Sequence, residues 1–89
     1  MFYIIMIQIK ELEYNLEKLE KLTTSRDSIQ GLKIYKDALT KLKQIKRIDD
    51  FHEILNQVLK ALSGIEAHGF FTDEEYEYVT KIRKIKRRD

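Results

Sequence analysis

Few side chains in this sequence are of the types that perform acid–base, nucleophilic or metal chemistry. The chain has two histidines, His52 and His68, and no cysteine. His52 has the carboxylates Asp49 and Glu53 as close sequence neighbours, and with one of them it could form an acid–base couple or a weak metal pair. The simpler interpretation is an exposed residue near a helix start, and His68 suits a helix C-terminus, where the dipole favours positive charge. Neither H-E-x-x-H nor E-x-x-H occurs.

A run of acids and a set of tyrosines offer two further kinds of site. Residues 73–77 contain four acids, which could bind a divalent cation but which also favour the positive end of a helix. The five tyrosines could stack on nucleic-acid bases, although amphipathic tyrosines commonly lie at the edge of a core. We therefore predict a protein that is not an enzyme, with no catalytic residue, no metal and no cofactor.

Two groups of basic residues are better candidates for a binding site. The first group, on the expected second helix, consists of Lys33, Lys36, Lys43 and Arg47. These residues share one outward stripe of a continuous helix, at spacings that a phosphate backbone can meet. The second group is the C-terminal end, residues 81–88, where the expected contacts are Lys81, Lys84, Arg87 and Arg88. Such clusters contact phosphates, anionic membranes or acidic protein surfaces, although a solvated surface and a dipole-complementing helix end also account for them.

Length, composition and charge restrict the class of protein. Eighty-nine residues make one domain, 1–89, without room for a separate catalytic domain. With no cysteine, no proline and three glycines, the chain lacks a disulfide scaffold and favours uninterrupted helices. The net charge is only +2, but residues 25–48 carry seven bases against two acids, whereas residues 49–68 carry one base against four acids. The apolar residues 1–7 lack a basic region and are far shorter than the ~20 residues that span a bilayer, so we expect a soluble cytoplasmic protein.

The spacing of apolar residues predicts an all-α fold of four helices. The expected helices cover residues 2–22, 26–47, 50–67 and 73–87. Apolar residues recur every three or four positions from Phe2 to Leu19, which is a heptad stripe. The isoleucine-rich start could instead form a short β-strand. Short links place neighbouring helices antiparallel in a small up-down bundle, and the rival arrangement is a hairpin whose first stripe pairs with another copy of the chain.

Capping patterns predict where the helices begin and end. Residues 24–27 and 50–53 have the spacing of a capping box, and Gly69 is expected to end the third helix in a Schellman turn. The strongest pattern is the T-x-x-E capping box of residues 72–75, which places the start of the fourth helix at Asp73.

Two classes of function fit these observations. The favoured one is a non-enzymatic accessory subunit that docks on a larger nucleic-acid-processing complex of replication, transcription or translation. In this interpretation the two basic groups lie near phosphates, and Phe2, Ile5 and Ile9 form the interface with a larger protein partner. A membrane-surface role is less favoured.

The alternative is a self-contained helical interaction module, either a homodimer or a bundle that neutralises a toxin. Residues 51–82 combine an apolar helix with the sequence Phe71-Thr72-Asp73-Glu74-Glu75. In part they resemble the last two helices of the pediocin-type bacteriocin immunity proteins, which are small helical bundles. The resemblance does not extend to residues 1–48, and it implies a protein partner rather than a substrate.

Overall fold

A computed structural model of the protein describes residues 2–69 and 71–85, and within them every regular element is helical. The elements are α1 (Phe2–Ser25), α2 (Leu32–Leu42), α3 (Ile48–His68) and α4 (Asp73–Arg83). The prediction of an all-α bundle of four helices is confirmed. Because α1 begins at Phe2, the alternative of a strand at the isoleucine-rich start is wrong. The fourth helix ends at Arg83 and is capped by Lys84, so the predicted continuation to residue 87 is wrong; residues 86–87 themselves lie outside the described residues.

The helices run up and down, with α1 in contact with all three others. Thr23 near the end of α1 bonds to Glu75 at the start of α4, so these two helices are antiparallel. Ile5 near the start of α1 lies beside Leu42 at the end of α2, which gives the same relation for that pair. The most extensive contacts join α1 to α4 and α1 to α2, whereas α3 packs mainly on α2. The long first helix is therefore the hub of the bundle.

One apolar core runs through the bundle, with side chains from every helix. Its fully buried members include Leu12, Leu16, Leu19, Phe51, Leu55, Leu62, Val79 and Ile82. The α1 stripe from Leu12 to Leu19 is thus buried in the core of its own chain and is not available to pair with a second copy. Asn15 is a buried polar residue in this part of α1: its Nδ2 donates to the Glu11 carbonyl oxygen at 2.8 Å, and its buried Oδ1 accepts no hydrogen bond from the part of the chain that the structure describes.

The link between α1 and α2 differs from the prediction, which began the second helix at residue 26. Asp27 has a positive φ of 62°, and the amides of Asp27 and Ser28 donate to the Thr24 and Thr23 carbonyl oxygens at 3.1 Å each. This is a Schellman turn, so the 24–27 capping box does not form and α1 continues to Ser25. Gly31, with φ 81°, precedes α2; a Cβ there would lie 2.9 Å from Ile65 Cδ1. The left-handed backbone at Gly31 therefore favours glycine, and the Ile65 side chain would have to shift to admit a larger residue.

The other helix ends confirm one capping prediction and overturn two. The α4 capping box is present, with the Glu75 amide donating to Thr72 Oγ1 at 3.1 Å and the Thr72 amide donating to Glu75 Oε1 at 2.9 Å. Gly69 is not left-handed (φ −148°), and the Gln30 side chain fills the space that a Cβ would occupy. The third helix starts at Ile48, two residues before the predicted residue 50, because Arg47 with its extended backbone is the N-cap; the predicted capping box of residues 50–53 therefore does not form the helix start.

Candidate interaction surface

A run of basic residues begins on α2 and continues into the link that follows this helix. Between residues 33 and 47 there are six basic residues and one acid, Asp37. All six basic side chains are exposed: Lys33, Lys36, Lys41, Lys43, Lys46 and Arg47. We refer to residues 33–47 as the basic segment. Its exposed ammonium and guanidinium groups are chemically suited to anionic partners.

The basic segment is not the single helical stripe that the sequence predicted. Lys33 and Lys36 lie on α2, but α2 ends at Leu42, Lys43 caps it, and Arg47 precedes α3. The predicted helix to residue 47 is wrong because the chain turns at Lys43, where the Gln44 amide donates to the Lys41 carbonyl oxygen at 3.0 Å. The positive charge therefore follows α2 and then bends with the link toward the start of α3.

At the C-terminal end, part of the positive charge is used within the molecule. Lys81 lies 3.7 Å from Glu77 one turn earlier and 5.0 Å from the centre of the Tyr78 ring. Lys84 follows α4 and is exposed, with no ion pair to any residue that the structure describes. The predicted contacts Arg87 and Arg88 lie outside the described residues.

Arg83 of the C-terminal end forms an ion pair with another helix. Its Nη2 donates to Glu66 Oε1 at 2.8 Å, which joins α4 to α3. The hydrogen bond from Arg83 lowers the pKa of the Glu66 carboxyl and raises the pKa of the guanidinium itself. One cation of the C-terminal end is therefore committed to helix packing.

An apolar groove lies where the start of α1 meets the link between α2 and α3. Its volume is about 240 Å³, and its apolar lining consists of Ile5, Met6, Ile9, Leu42, Ile45 and Ile48. Ile5 and Ile9 are two of the three predicted interface residues, and both are half-buried. The side chain of the third, Phe2, is outside the described set. We refer to this feature as the α1 groove.

The α1 groove adjoins the basic segment, because Lys46 and Arg47 also line it. The sequence interpretation treated the apolar interface and the basic residues as separate features. It missed Leu42, Ile45 and Ile48, although a signal was present in the two isoleucines that flank the dipeptide Lys46-Arg47. The structure thus combines apolar and cationic side chains in one place.

A buried polar cluster joins the end of α1 to the start of α4. Glu75 is fully buried, and its Oε2 accepts from Thr23 Oγ1 at 2.7 Å and from Arg26 Nε at 3.0 Å. Burial pushes the pKa of the Glu75 carboxyl upward, but hydrogen bonds from Arg26, the Thr72 amide and Thr23 outweigh it, so this pKa lies below its ordinary value. The sequence interpretation placed Glu75 in a surface acid run and missed this role. Its spacing of four and seven from Val79 and Ile82 was the available signal.

Tyr35 of α2 lies close to the same cluster. Burial, followed by the negative charge of Glu75, raises the pKa of the Tyr35 phenol to about 12, while the charge of Arg26 opposes the shift. The hydroxyl therefore stays protonated at neutral pH. Tyr35 and Glu75 are both enclosed, so the cluster contributes to the stability of the bundle rather than offering a group to a substrate.

The remaining candidate residues are the histidines and the acids that could hold a metal ion. In the residues described, no three Asp, Glu or His side chains converge as ligands for a metal ion. His52 packs edge-on against Phe51, with ring centroids 5.5 Å apart. Over the same ranges, each helix is either too short or too polar to cross a membrane.

Comparison with known proteins leaves the chain without an assigned family. The partial resemblance of residues 51–82 to bacteriocin immunity proteins accordingly stays a hypothesis. No family model, curated protein or solved structure matches this chain significantly.

Proposed function

We propose that this protein is a non-enzymatic accessory subunit of a larger nucleic-acid-processing complex, and that its basic segment lies against phosphates. The observation that carries the proposal is the set of six exposed basic side chains, against one acid, within residues 33–47. Phosphate contacts of this kind fix the position of a protein on a nucleic acid without reading its sequence. The surface therefore suits a positioning role.

The pairing of cations within the chain supports this choice of surface. Arg26 and Arg83 donate to carboxylates at 3.0 and 2.8 Å and contribute to packing. Lys33, Lys36 and Lys43 are exposed and have no ion pair within residues 2–69 and 71–85. These three lysines are therefore available to an anionic partner.

The modest net charge explains why a protein partner is part of the proposal. At +2, the chain as a whole has too little charge for tight binding to nucleic acid alone. Apolar contacts with a larger protein would supply the remaining affinity, and linking two weak contacts raises their joint strength. The basic segment then orients the docked subunit relative to the phosphates.

Binding of fluorescein-labelled duplex DNA and single-stranded RNA, followed by anisotropy between about 50 and 200 mM salt, tests the phosphate contact. We expect the logarithm of the binding constant to fall linearly with the logarithm of salt concentration. The double variant Lys33→Glu, Lys36→Glu should bind more weakly and reduce this slope by about 2, roughly one unit per lost phosphate contact.

The matched control is Lys21→Glu, Lys60→Glu, which changes the net charge equally at exposed sites outside the basic segment. It should retain most of the affinity. Equal losses in both double variants would mean that only bulk charge matters. Undetectable binding at low salt would contradict direct contact with nucleic acid.

A further inference from the structure

We propose that the α1 groove is the docking site for an acidic amphipathic helix of a partner protein. This inference deepens the proposed function, on which it rests for the existence of a larger protein partner. It adds the chemistry by which that partner is recognised: apolar side chains on one face, with carboxylates beside them.

The size and lining of the groove favour anchoring side chains over a small-molecule ligand. Its volume of about 240 Å³ lies below the ~300–1,000 Å³ typical of small-molecule pockets. The floor is aliphatic, with Ile9, Leu42 and Ile45 contributed by α1, α2 and the link. Met6 at the edge is 43% exposed, a large apolar side chain that a docked partner would cover.

The charges around the groove specify an acidic occupant. Lys46 and Arg47 line the groove and are exposed, and Lys43 precedes them in the same link. Arg47 lies 3.7 Å from Asp49, but both side chains are mostly exposed, so this contact is weak and exchangeable. Carboxylates flanking the apolar residues of the occupant would complement these cations, whereas a basic occupant would be repelled.

The secondary structure of the surroundings favours a helix as the occupant. An extended peptide gains affinity by adding to a strand edge, and residues 2–69 and 71–85 contain no strand. A helix satisfies its own backbone hydrogen bonds and presents side chains at i, i+3, i+4 and i+7 to a groove. It therefore needs only what the α1 groove supplies, which is apolar lining and flanking positive charge.

The test uses the full chain, labelled with ¹⁵N, and a synthetic peptide of about 15 residues, long enough to form a helix. The peptide carries leucine at i, i+3, i+4 and i+7 positions and glutamate elsewhere; a counterpart carries lysine in place of glutamate. We expect the glutamate peptide to shift the amide resonances of Ile9, Leu42 and Ile45, and the lysine peptide to leave them unchanged. Equal binding of both peptides, or shifts confined to other surfaces, would overturn the proposal.

Two neighbouring residues of α1 provide a matched pair of variants. Met6→Glu places a negative charge in the groove lining and should weaken binding of the glutamate peptide about tenfold, the scale of an interface anchor. Ile7 is 49% exposed but does not line the groove, so Ile7→Glu should change the affinity by less than about twofold. Equal effects of the two substitutions would count against the groove as the binding site.

The same experiment distinguishes a partner helix from a second copy of the chain as the occupant, and it distinguishes failure of the docking site from failure of the proposed function. Groove resonances that shift with protein concentration, without peptide, would identify a second copy as the occupant and overturn the proposal. Met6→Glu adds one negative charge beside Lys46 and Arg47, so it should weaken nucleic-acid binding less than Lys33→Glu, Lys36→Glu does, and this double variant should leave peptide binding largely intact. If the peptide binds but no nucleic acid does, the proposed phosphate contact is wrong and the proposed docking site is not contradicted.

Discussion

Replacement of Glu75 by glutamine tests the buried polar cluster directly. Glutamine retains the shape and can accept the Thr72 amide bond, since it also serves in capping boxes. Its NH2 group then takes the place of Oε2, and this group donates but cannot accept from Arg26 Nε, whereas the Thr23 hydroxyl can turn to accept from it. Hydrogen bonds to charged groups contribute ~1.5–3 kcal/mol, so loss of the Arg26 bond should lower the free energy of unfolding by ~2 kcal/mol. Arg26 is 25% exposed and keeps part of its hydration, so the loss stays below the ~3–5 kcal/mol of a fully buried pair.

The pH dependence of this loss follows from the lowered pKa of Glu75. The unfolded carboxyl titrates near 4.5, and the folded one titrates below that value. The stabilisation is therefore fully present above pH 4.5 and disappears as the pH falls through the folded pKa. Because glutamine does not titrate, the difference between wild type and Glu75→Gln should shrink on acidification. Glu66, whose pKa is also lowered, contributes to both proteins and cancels in the difference.

Urea unfolding followed by far-UV circular dichroism measures these free energies, and the chain has no tryptophan to serve as a fluorescent probe. The control is Glu74→Gln, an exposed neighbour that should change the free energy of unfolding by less than ~0.5 kcal/mol. If Glu75→Gln costs no more than this control, the reasoning about the cluster is wrong. A difference that stays constant from neutral pH to below pH 4.5 would refute the assigned direction of the pKa shift.

Three further predictions concern packing, backbone geometry and ionisation. Leu62→Ala should lower the free energy of unfolding by ~2–5 kcal/mol in urea titrations, because Leu62 is fully buried; a loss below ~1 kcal/mol would contradict its central position. Gly64→Ala should raise it by up to ~1 kcal/mol, since no atom of the described residues lies within 4 Å of the added Cβ. Gly31→Ala, at φ 81°, should lower it by more than ~1 kcal/mol, and thermal unfolding that ranks the two variants alike would contradict this. Absorbance titration should show a phenolate phase near pH 12 that is absent in Tyr35→Phe. Because the pKa of the Tyr35 phenol is raised in the folded state, the free energy of unfolding should fall between pH 10 and 12.

The helices and the core were predictable because each depends on local spacing. The heptad intervals of α1 and α3 placed Leu12, Leu16 and Leu62 inside, and all three are fully buried. The T-x-x-E pattern likewise located the start of α4, because both hydrogen bonds of a capping box form within one turn. Signals that act over three or four residues can be read without knowledge of the tertiary contacts.

The ends of α2 and the location of the groove were not predictable in the same way. Most residues of 26–47 are compatible with a helix, and the poorest helix former among them, Gly31, was placed inside the predicted second helix. The boundaries depend on the left-handed Asp27 and Gly31 and on the approach of Ile65 from α3, which is a tertiary contact. The α1 groove likewise exists only because the antiparallel return of α2 brings Leu42 beside Ile5.

The position of α1 as the hub has a consequence for how the chain reaches its native state. Its two most extensive partners are the next helix and the last one, and the bond between Thr23 and Glu75 spans 52 residues. During synthesis the side of α1 that packs on α4 stays uncovered until residues 73–83 leave the ribosome. A nascent chain that lacks residues 73–83 therefore exposes apolar surface of α1 to chaperones and proteases. Completion of the fold is a late event.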